Sequence, residues 1–518
     1  MRQICEQLKG ILPAEASAQS PTVSVTRFAG DRQAALSLTF DDGLQEHYTL
    51  VAPHLDRYAL KGTFGINGKY MGDIDDHYAP RMTWDECRQM ARDGHEINNH
   101  TWSHPNLHDQ DSITIVREIA MNDSAMMAEL GFTSRSVLYP FNGYNDLARR
   151  LSERGKVGSR LYQFALGQRN SGCTPKSIDK YLDGLIEKGA WGITMTHGIY
   201  TAWDQWDEPW ALWDFFRDLA FRQDSVWVDT FSAIQAYTKA RDAVGLTTRR
   251  HGDTLVISPS LSLDSAIFRG PLTLRIAGTD RNRPLRATQD GRKLQVSFRD
   301  DYSTVDIDPY GSPIEVSYAA DDALRGKKLC VIGDSYVYNH ARPASETWHA
   351  KVAAKHGMAY ENLGRNGNSI AFERDGRWGA PMYQRYTVIP KDADYILLIA
   401  GHNDAYIVNE DIARQEVLRQ RLDELLGGLE REYPHAKIGW VTPWNVAYKG
   451  FPATLGIIRE VCRAHGVKVL DAARTSGIRP NDPAFRARYF QRGDDTAHLN
   501  NAGHDLLVRW GEQFLMGL

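Results

Sequence analysis

Several things are scarce in this 518-residue chain, and each scarcity excludes something. There are five cysteines: Cys5, Cys87, Cys173, Cys330 and Cys462. They are odd in number, far apart and form no CxxC pair, which excludes a disulfide framework and a cysteine-rich zinc site. No run approaches the roughly 18 apolar residues of a membrane helix. No block of basic residues stands out, and the net charge is −4, so a nucleic-acid partner is excluded. The N-terminal MRQICEQLKGILPAEASAQS lacks the apolar core of a signal peptide. That leaves two compartments, extracellular or periplasmic for a chain that has lost a leader, and otherwise cytoplasmic. Internal repeats and low-complexity tracts are absent as well. The sequence leaves the oligomeric state open.

What is present is a chain that can build cores, with 42% apolar and 24% charged residues. At roughly 100–200 residues per domain the length predicts about three domains. Residues 1–24 read as a lead-in with one short amphipathic stretch. Residues 25–242 alternate short apolar runs with helical patterns, which predicts an α/β layer or barrel. In it, Ala35–Phe40 and Lys61–Asn67 read as strands. Trp84–Asp93 reads as a helix closed by Gly94, followed by a strand over His95–Asn99. Residues 243–325 carry period-2 alternation broken by turns such as Asp290-Gly291, which predicts a small all-β, sandwich-like module that spaces or braces its neighbours. In residues 326–518 the continuous apolar runs KLCVIG, YILLIA and KIGWV predict a parallel sheet covered on both faces.

Chemistry concentrates first at Thr39-Phe40-Asp41-Asp42-Gly43, on a strand end, and at His100-Thr101-Trp102-Ser103-His104-Pro105. Two histidines four apart can face the same way, and a carboxylate joining them makes a His₂-Asp set suited to Zn²⁺ with a position left for water. A second, adjacent carboxylate can take that water's proton. Either motif alone is matched evenly by a plain turn and a helix cap.

Together these motifs resemble the polysaccharide deacetylase (NodB-homology) family over roughly residues 30–240. The resemblance implies a distorted (β/α) barrel and metal-dependent removal of acetyl groups from sugars. By motif, Asp42, His100 and His104 bind the metal, Zn²⁺ ahead of Co²⁺ or Ni²⁺, and Asp41 is the general base. Tyr139-Pro140-Phe141-Asn142-Gly143 is similar to the family's third motif, which makes the Phe141 N–H an oxyanion donor. Met195-Thr196-His197 is similar to its last motif, which makes His197 the general acid. Leu138 stands near the position where the family carries an arginine that touches the base. No match to the family's Asp-Trp motif lies between Gly143 and His197, so the partner that orients His197 is unassigned. Trp102 and Tyr139 are expected at the substrate. Trp203, Trp206, Trp210 and Trp213 read as a helix face packed on the barrel, ahead of a sugar-stacking wall.

A second constellation lies in the last domain. Gly333-Asp334-Ser335 follows an apolar strand, and a serine at such a turn can be a nucleophile. Asp495-Thr496-Ala497-His498 offers a base and its carboxylate three residues apart, which completes a Ser-His-Asp set. Asn403, at the end of another strand, can donate to an oxyanion, and Asn362–Gly367 offers a backbone N–H. The four blocks in this order resemble the SGNH (GDSL) hydrolase family and its three-layer α/β/α fold. The resemblance implies Ser335 as nucleophile, His498 as base and Asp495 as its orienting acid. The oxyanion donors are then the Ser335 and Gly367 N–H groups and the Asn403 side chain, with Gly367 preferred over Gly364. His402 and His504 read as supporting or structural. Trp440 and Trp444 read as core or crevice wall.

The expected function is a bifunctional carbohydrate esterase acting on acetylated polysaccharide or oligosaccharide. The alternatives are a serine acetylesterase whose first domain only binds glycan, and a lipase or thioesterase in the last domain.

Overall fold

The computed structural model describes residues 21–518 except 77, 281–282, 299–300, 319–322, 375 and 377. The amphipathic stretch expected in the lead-in lies outside the described residues.

The first α/β unit is built around Ala34–Phe40, a strand buried at all seven positions. On one side it pairs in parallel with Trp191–Thr196, and on the other with Gly62–Ile66 and, lower down, Val226–Val228. Glu96–Asn99, Ser136–Leu138 and Gly158–Arg160 continue the sheet outward, also in parallel. Phe164–Ala165 closes its other edge beside Trp191–Thr196. Among the described residues the two outer strands do not pair, so this is the distorted, incomplete barrel expected. The Trp84–Arg92 helix shows how local chemistry sets the elements. Thr83 and Glu86 form a reciprocal capping box at its start, and Gly94, at φ +91°, lets the chain turn back into the next strand.

The all-β module is a sandwich of two antiparallel sheets, and its composition departs from expectation at one point. Thr22–Val25 is not lead-in; it pairs with Leu272–Ala277, Val25 lying opposite Leu274. Its alternating pattern half-buries Val23 and Val25 against the sandwich core. The module is therefore made from chain on both sides of the barrel. Gln513 exchanges hydrogen bonds with the Leu285 backbone, and Arg135 donates to the Ile267 carbonyl at 2.9 Å, so it braces both neighbours.

The last unit is a five-stranded parallel sheet with Lys328–Gly333 and Tyr395–Ile399 at its centre, Ala359–Gly364 on one flank and Lys437–Val441 on the other. Helices such as Ile412–Glu432, Phe451–Ala464 and Asn501–Gly517 cover it. Trp440 is fully buried and Trp444 nearly so, in agreement with a core role. No helix among the described residues is long and apolar enough to cross a membrane.

If Thr22–Val25 is a working strand of the sandwich, Val25→Asp places a charge against its core and costs about 1–3 kcal/mol. Urea unfolding of the full chain reads this as a lowered midpoint; an unchanged midpoint would detach the strand from the module.

Candidate functional site

Both candidate centres sit where parallel strands end. In the barrel, Asp41 and Asp42 follow Phe40, His100 follows Asn99, and His197 follows Thr196. The His100 Nδ1 lies 2.8 Å from the Leu138 carbonyl, which can only accept, so Nδ1 carries the proton. Its Nε2 lone pair then faces Asp42 Oδ1 at 3.4 Å. The His104 Nε2 faces the same oxygen at 3.2 Å. Asp42 Oδ1 is buried and accepts no hydrogen bond among the described residues. One atom from each of the three residues lies within 4.8 Å of the others. Lone pairs converging on one point are a donor set that a divalent cation fits, so the expected metal ligands come together.

Three segments around these histidines, after the Ala34–Phe40, Glu96–Asn99 and Ser136–Leu138 strands, are held under strain. Asp42, Thr101, His104, Phe141 and Asn142 all have positive φ, and Thr101 is β-branched. Glu118, buried on the Ser112–Leu130 helix, clamps the loop by accepting from the Ser103 N–H at 2.7 Å and the Ser103 hydroxyl at 2.9 Å. Asn67 holds the His100 carbonyl at 2.5 Å. Motif reading missed Glu118, because its only sequence signal is an acid on the buried face of an amphipathic helix.

Asp41 has a partner that motif reading did not supply. Leu138 lacks the arginine of the family pattern, but Arg160 supplies the contact. Its guanidinium donates to Asp41 Oδ1 at 2.8 Å and Oδ2 at 2.5 Å, with a further bond to Thr39 Oγ1 at 2.7 Å. Arg160 is the parallel cross-strand partner of Leu138 in register. The charge has moved one strand over, a shift of about 4.8 Å that a long side chain spans. Burial works against ionising Asp41, but Arg160 and His100 outweigh it and bring its pKa down to about 2.

His197 Nε2 lies 4.0 Å from Asp42 Oδ2, and burial lowers its pKa. Its Nδ1 is buried with no hydrogen-bond partner among the described residues, in keeping with the missing Asp-Trp motif. Phe141 stands edge-on to the His104 ring, centroids 4.7 Å apart, with its own ring 71% exposed. Trp102 is half-buried and packs its ring on the Gly68 backbone. Tyr139 is corrected: its side chain is fully buried, stacked on Tyr144, with its hydroxyl bonded to Ser152 at 2.7 Å, so the ring is core and not a substrate contact. The four tryptophans divide. Trp206 is buried and Trp213 stacks on His54, whereas Trp203 and Trp210 are more than half exposed. Trp203 precedes the Trp210–Phe221 helix, and its N–H donates to the Tyr78 hydroxyl at 2.7 Å.

In the last unit the expected triad is assembled. His498 Nε2 lies 2.9 Å from Ser335 Oγ, and His498 Nδ1 lies 3.0 Å from Asp495 Oδ2. The Ala497 and His498 N–H groups donate to Asp495 Oδ1 at 2.8 and 3.0 Å. Against its burial, these bonds hold the Asp495 pKa near 2. Asp334 caps the short Ser335–Tyr338 helix, its Oδ1 accepting from the Tyr336 N–H at 2.9 Å. The Gly364 N–H is engaged by Asn362 Oδ1 at 2.9 Å, which favours Gly367 as the donor glycine. Gly367 has φ +67°, and a Cβ there would strike Trp378.

Two arginines were not anticipated. Arg374 donates to Asn403 Oδ1 at 2.9 Å and to the Gly367 carbonyl at 3.1 Å. Because arginine only donates, this fixes the Asn403 amide with its NH₂ turned inward. One N–H reaches the Asn368 carbonyl at 2.8 Å, and the other has only a long 3.4 Å contact to Asp334. Arg385, buried, ties the ends of two strands by donating to the Gly333 and Leu363 carbonyls, each at 2.9 Å. His402 contacts the Tyr336 hydroxyl at 3.0 Å, and burial lowers its pKa to about 4. His504 bonds Asn339 Oδ1 at 3.1 Å.

Residues 29–157 match the family model for polysaccharide deacetylase, and residues 331–506 match the GDSL-like lipase/acylhydrolase family. The first part of the chain is deacetylase-like, and the last is GDSL-hydrolase-like. A chitin deacetylase of Pestalotiopsis sp is 33% identical over 168 residues, 32% of this chain and 53% of that protein. A chitooligosaccharide deacetylase of Rhizobium leguminosarum bv. trifolii is 28% identical over 30% of this chain and 68% of that one. A gellan lyase of a Bacillus sp is 21% identical over 53% of this chain and 12% of that protein. The chain thus spans about half of the length of the chitin deacetylase and 12% of the gellan lyase. Among solved structures, a putative polysaccharide deacetylase from Mycobacterium smegmatis is 18% identical, covers 44% of this chain and 98% of its own, and has a TM-score of 0.35.

Arg160→Leu in the deacetylase-like domain leaves Asp41 buried without its counter-charge. The expected cost is about 3–5 kcal/mol at neutral pH, read by urea unfolding. Asp41 has its pKa depressed, so the stabilisation is full above about pH 4 and fades as pH falls toward about 2; the wild type and variant should converge there.

Proposed function

We propose that this protein is a carbohydrate esterase with two deacylating centres, both acting on acetylated polysaccharide or its oligomers. The observation that carries this reading is that two unrelated hydrolytic constellations are each drawn together in one chain: the converging Asp42, His100 and His104, and the Ser335–His498–Asp495 relay. The names of the deacetylase relatives support acetylated sugar as the substrate class.

In the first centre, Asp42, His100 and His104 would hold a divalent metal, Zn²⁺ by ligand type. Bound there, it would supply Lewis-acid polarisation of the acyl carbonyl and a more acidic water. Asp41 takes the proton of the attacking water. Arg160 keeps Asp41 ionised and fixes its plane, so it is available as a base throughout the neutral range. The Phe141 N–H donates to the developing oxyanion, and His197 delivers a proton to the departing sugar oxygen or nitrogen. Trp102 and Trp203 give apolar faces on which a sugar ring can lie.

In the second centre, His498 removes the Ser335 proton as Oγ attacks the acyl carbon, and Asp495 stabilises the imidazolium that forms. The Ser335 and Gly367 N–H groups and the Asn403 amide receive the oxyanion. His498 then protonates the leaving sugar oxygen, and water releases acetate from the acyl-serine.

The unpartnered Nδ1 of His197 favours one second reading, in which the barrel binds glycan and only Ser335 turns over. Acetate release from acetylated xylan, mannan, chitin oligomers and peptidoglycan separates the two. Asp42→Ala or a chelator should abolish release from one set of substrates and Ser335→Ala from another. If chelation changes nothing and Ser335→Ala removes all activity, the barrel is a binding module. If neither variant changes any release, the reading fails. Asp495→Asn should lower kcat of the serine centre by about 10³–10⁴-fold with KM little changed, because the wrong His498 tautomer then faces Ser335.

A further inference from the structure

A second feature lies between the two hydrolase-like domains, away from both centres. The domains are docked directly. Phe221 stacks near Phe451 with ring centroids 6.4 Å apart, and Asn445 donates across the boundary to the Phe221 carbonyl. Beside this contact a cleft of about 890 Å³ remains open. On the barrel side it is walled by segments that precede strands: Arg32 before Ala34–Phe40, Arg57 and Lys61 before Gly62–Ile66, Arg92 before Glu96–Asn99. Asp41, Asp42, His100 and His197 follow strands, so the cleft is at the opposite end of the barrel from the candidate metal site. On the other side it is walled by Arg419 of the Ile412–Glu432 helix, Arg459 and Arg463 of the Phe451–Ala464 helix, and Arg474.

The charge in this cleft is out of balance. Eight basic side chains line it against four acidic ones, in a chain whose overall charge is −4. The acids are largely committed. Asp56 pairs with Lys61 at 3.0 Å, Glu460 with Arg419, and Asp93 accepts from the Gln89 side-chain amide at 2.9 Å. Asp229 accepts from the Thr230 N–H at 2.7 Å and from the Trp227 indole at 3.1 Å. Asp471, just behind the wall, is shared by Arg459 at 2.8 Å and Arg474 at 3.6 Å. Arg474 also donates from its Nε to a neutral group across the boundary, the Gln223 side-chain oxygen, at 2.9 Å. The Gln223 carbonyl accepts from Arg32 at 2.7 Å, so one glutamine spaces two guanidiniums. Arg57, Arg92 and Arg463 have no carboxylate partner among the described residues. Concentrating guanidiniums at a domain boundary without matching acids is unfavourable unless an anion completes the set.

We propose that this cleft is a binding site for a small, multiply charged oxyanion ligand, one bearing phosphate or carboxylate groups, held by arginines from both domains. Guanidiniums on facing walls suit an extended ligand with charges at more than one position, each taken by a planar two-bond contact. Its occupancy ties the barrel to the GDSL-like domain. The site uses no residue of either candidate centre, so it stands or falls independently of the proposed deacylation.

Calorimetric titration of the full chain at low ionic strength, with inorganic pyrophosphate in one arm and trigalacturonate in the other, tests it. KCl at matched ionic strength serves as the control. At least one probe should bind. Its affinity should fall by about tenfold or more in the variant carrying both R57Q and R463Q, two arginines that are not fully buried, while p-nitrophenyl acetate hydrolysis is unchanged. Binding of pyrophosphate alone assigns a phosphate ligand, and binding of trigalacturonate alone a carboxylate one. If neither probe binds beyond the KCl control, or if the variant binds as the wild type does, the proposal is overturned.

Discussion

Both candidate centres depend on one constraint of parallel sheets. A strand buried on both faces can present polar side chains to a ligand only where it ends, because those within the sheet, such as Ser37 and Thr39, are covered on both sides. Ala34–Phe40 is buried throughout and releases Asp41 and Asp42 at its C-terminal end; Lys328–Gly333 releases Asp334 and Ser335 in the same way. Neighbouring strands in register then bring their own terminal residues to the same edge. His100 and Arg160 arrive in the first domain by this route, and Asn403, just beyond Tyr395–Ile399, in the second.

The carboxylates at these edges fall into two groups, and the division follows their partners. Asp41 and Asp495 are each held near pKa 2, because a guanidinium in one case and a histidine with two backbone N–H groups in the other outweigh the cost of burial. Asp334 and Asp404 are buried without a cation in direct contact, and burial pushes them up to about 7 and about 6. Asp404 accepts from the Ile370 and Ala371 N–H groups and so shapes the loop beyond Gly367. The ionised pair faces Arg160 in one centre and His498 in the other, whereas the raised pair holds backbone.

The three units are joined by polar contacts as much as by apolar ones. The sandwich reaches both neighbours through Gln513 and Arg135, and the two hydrolase-like domains meet at Phe221 and Phe451 beside a strongly cationic cleft. The β module includes Thr22–Val25, so the chain enters the sandwich, leaves to build the barrel, and returns. This ties the ends of the barrel sequence together through Val25 and Leu274.

How much of this was legible in the chain differs from residue to residue. That Asp42, His100 and His104 come together, and that Ser335, Asp495 and His498 do, was readable, because each lies in a short motif whose chemistry restricts residue type. Strand and helix positions around Phe40, Gly94 and Ile399 were readable for the same reason, from period and turn chemistry. Arg160, Glu118, Arg374 and Arg385 were not. Each acts on a residue 15 or more positions away, or across a strand pair, and a lone charged residue carries no mark of its partner. Tyr139 was misplaced because a motif specifies a backbone position but not the direction of the ring. The sequence by itself therefore determined which atoms can do chemistry and the order in which they lie. Only the tertiary structure decided which charge supports which. A buried ion pair or hydrogen bond is set by distances of a few ångströms in space, and strand register, not sequence separation, controls those.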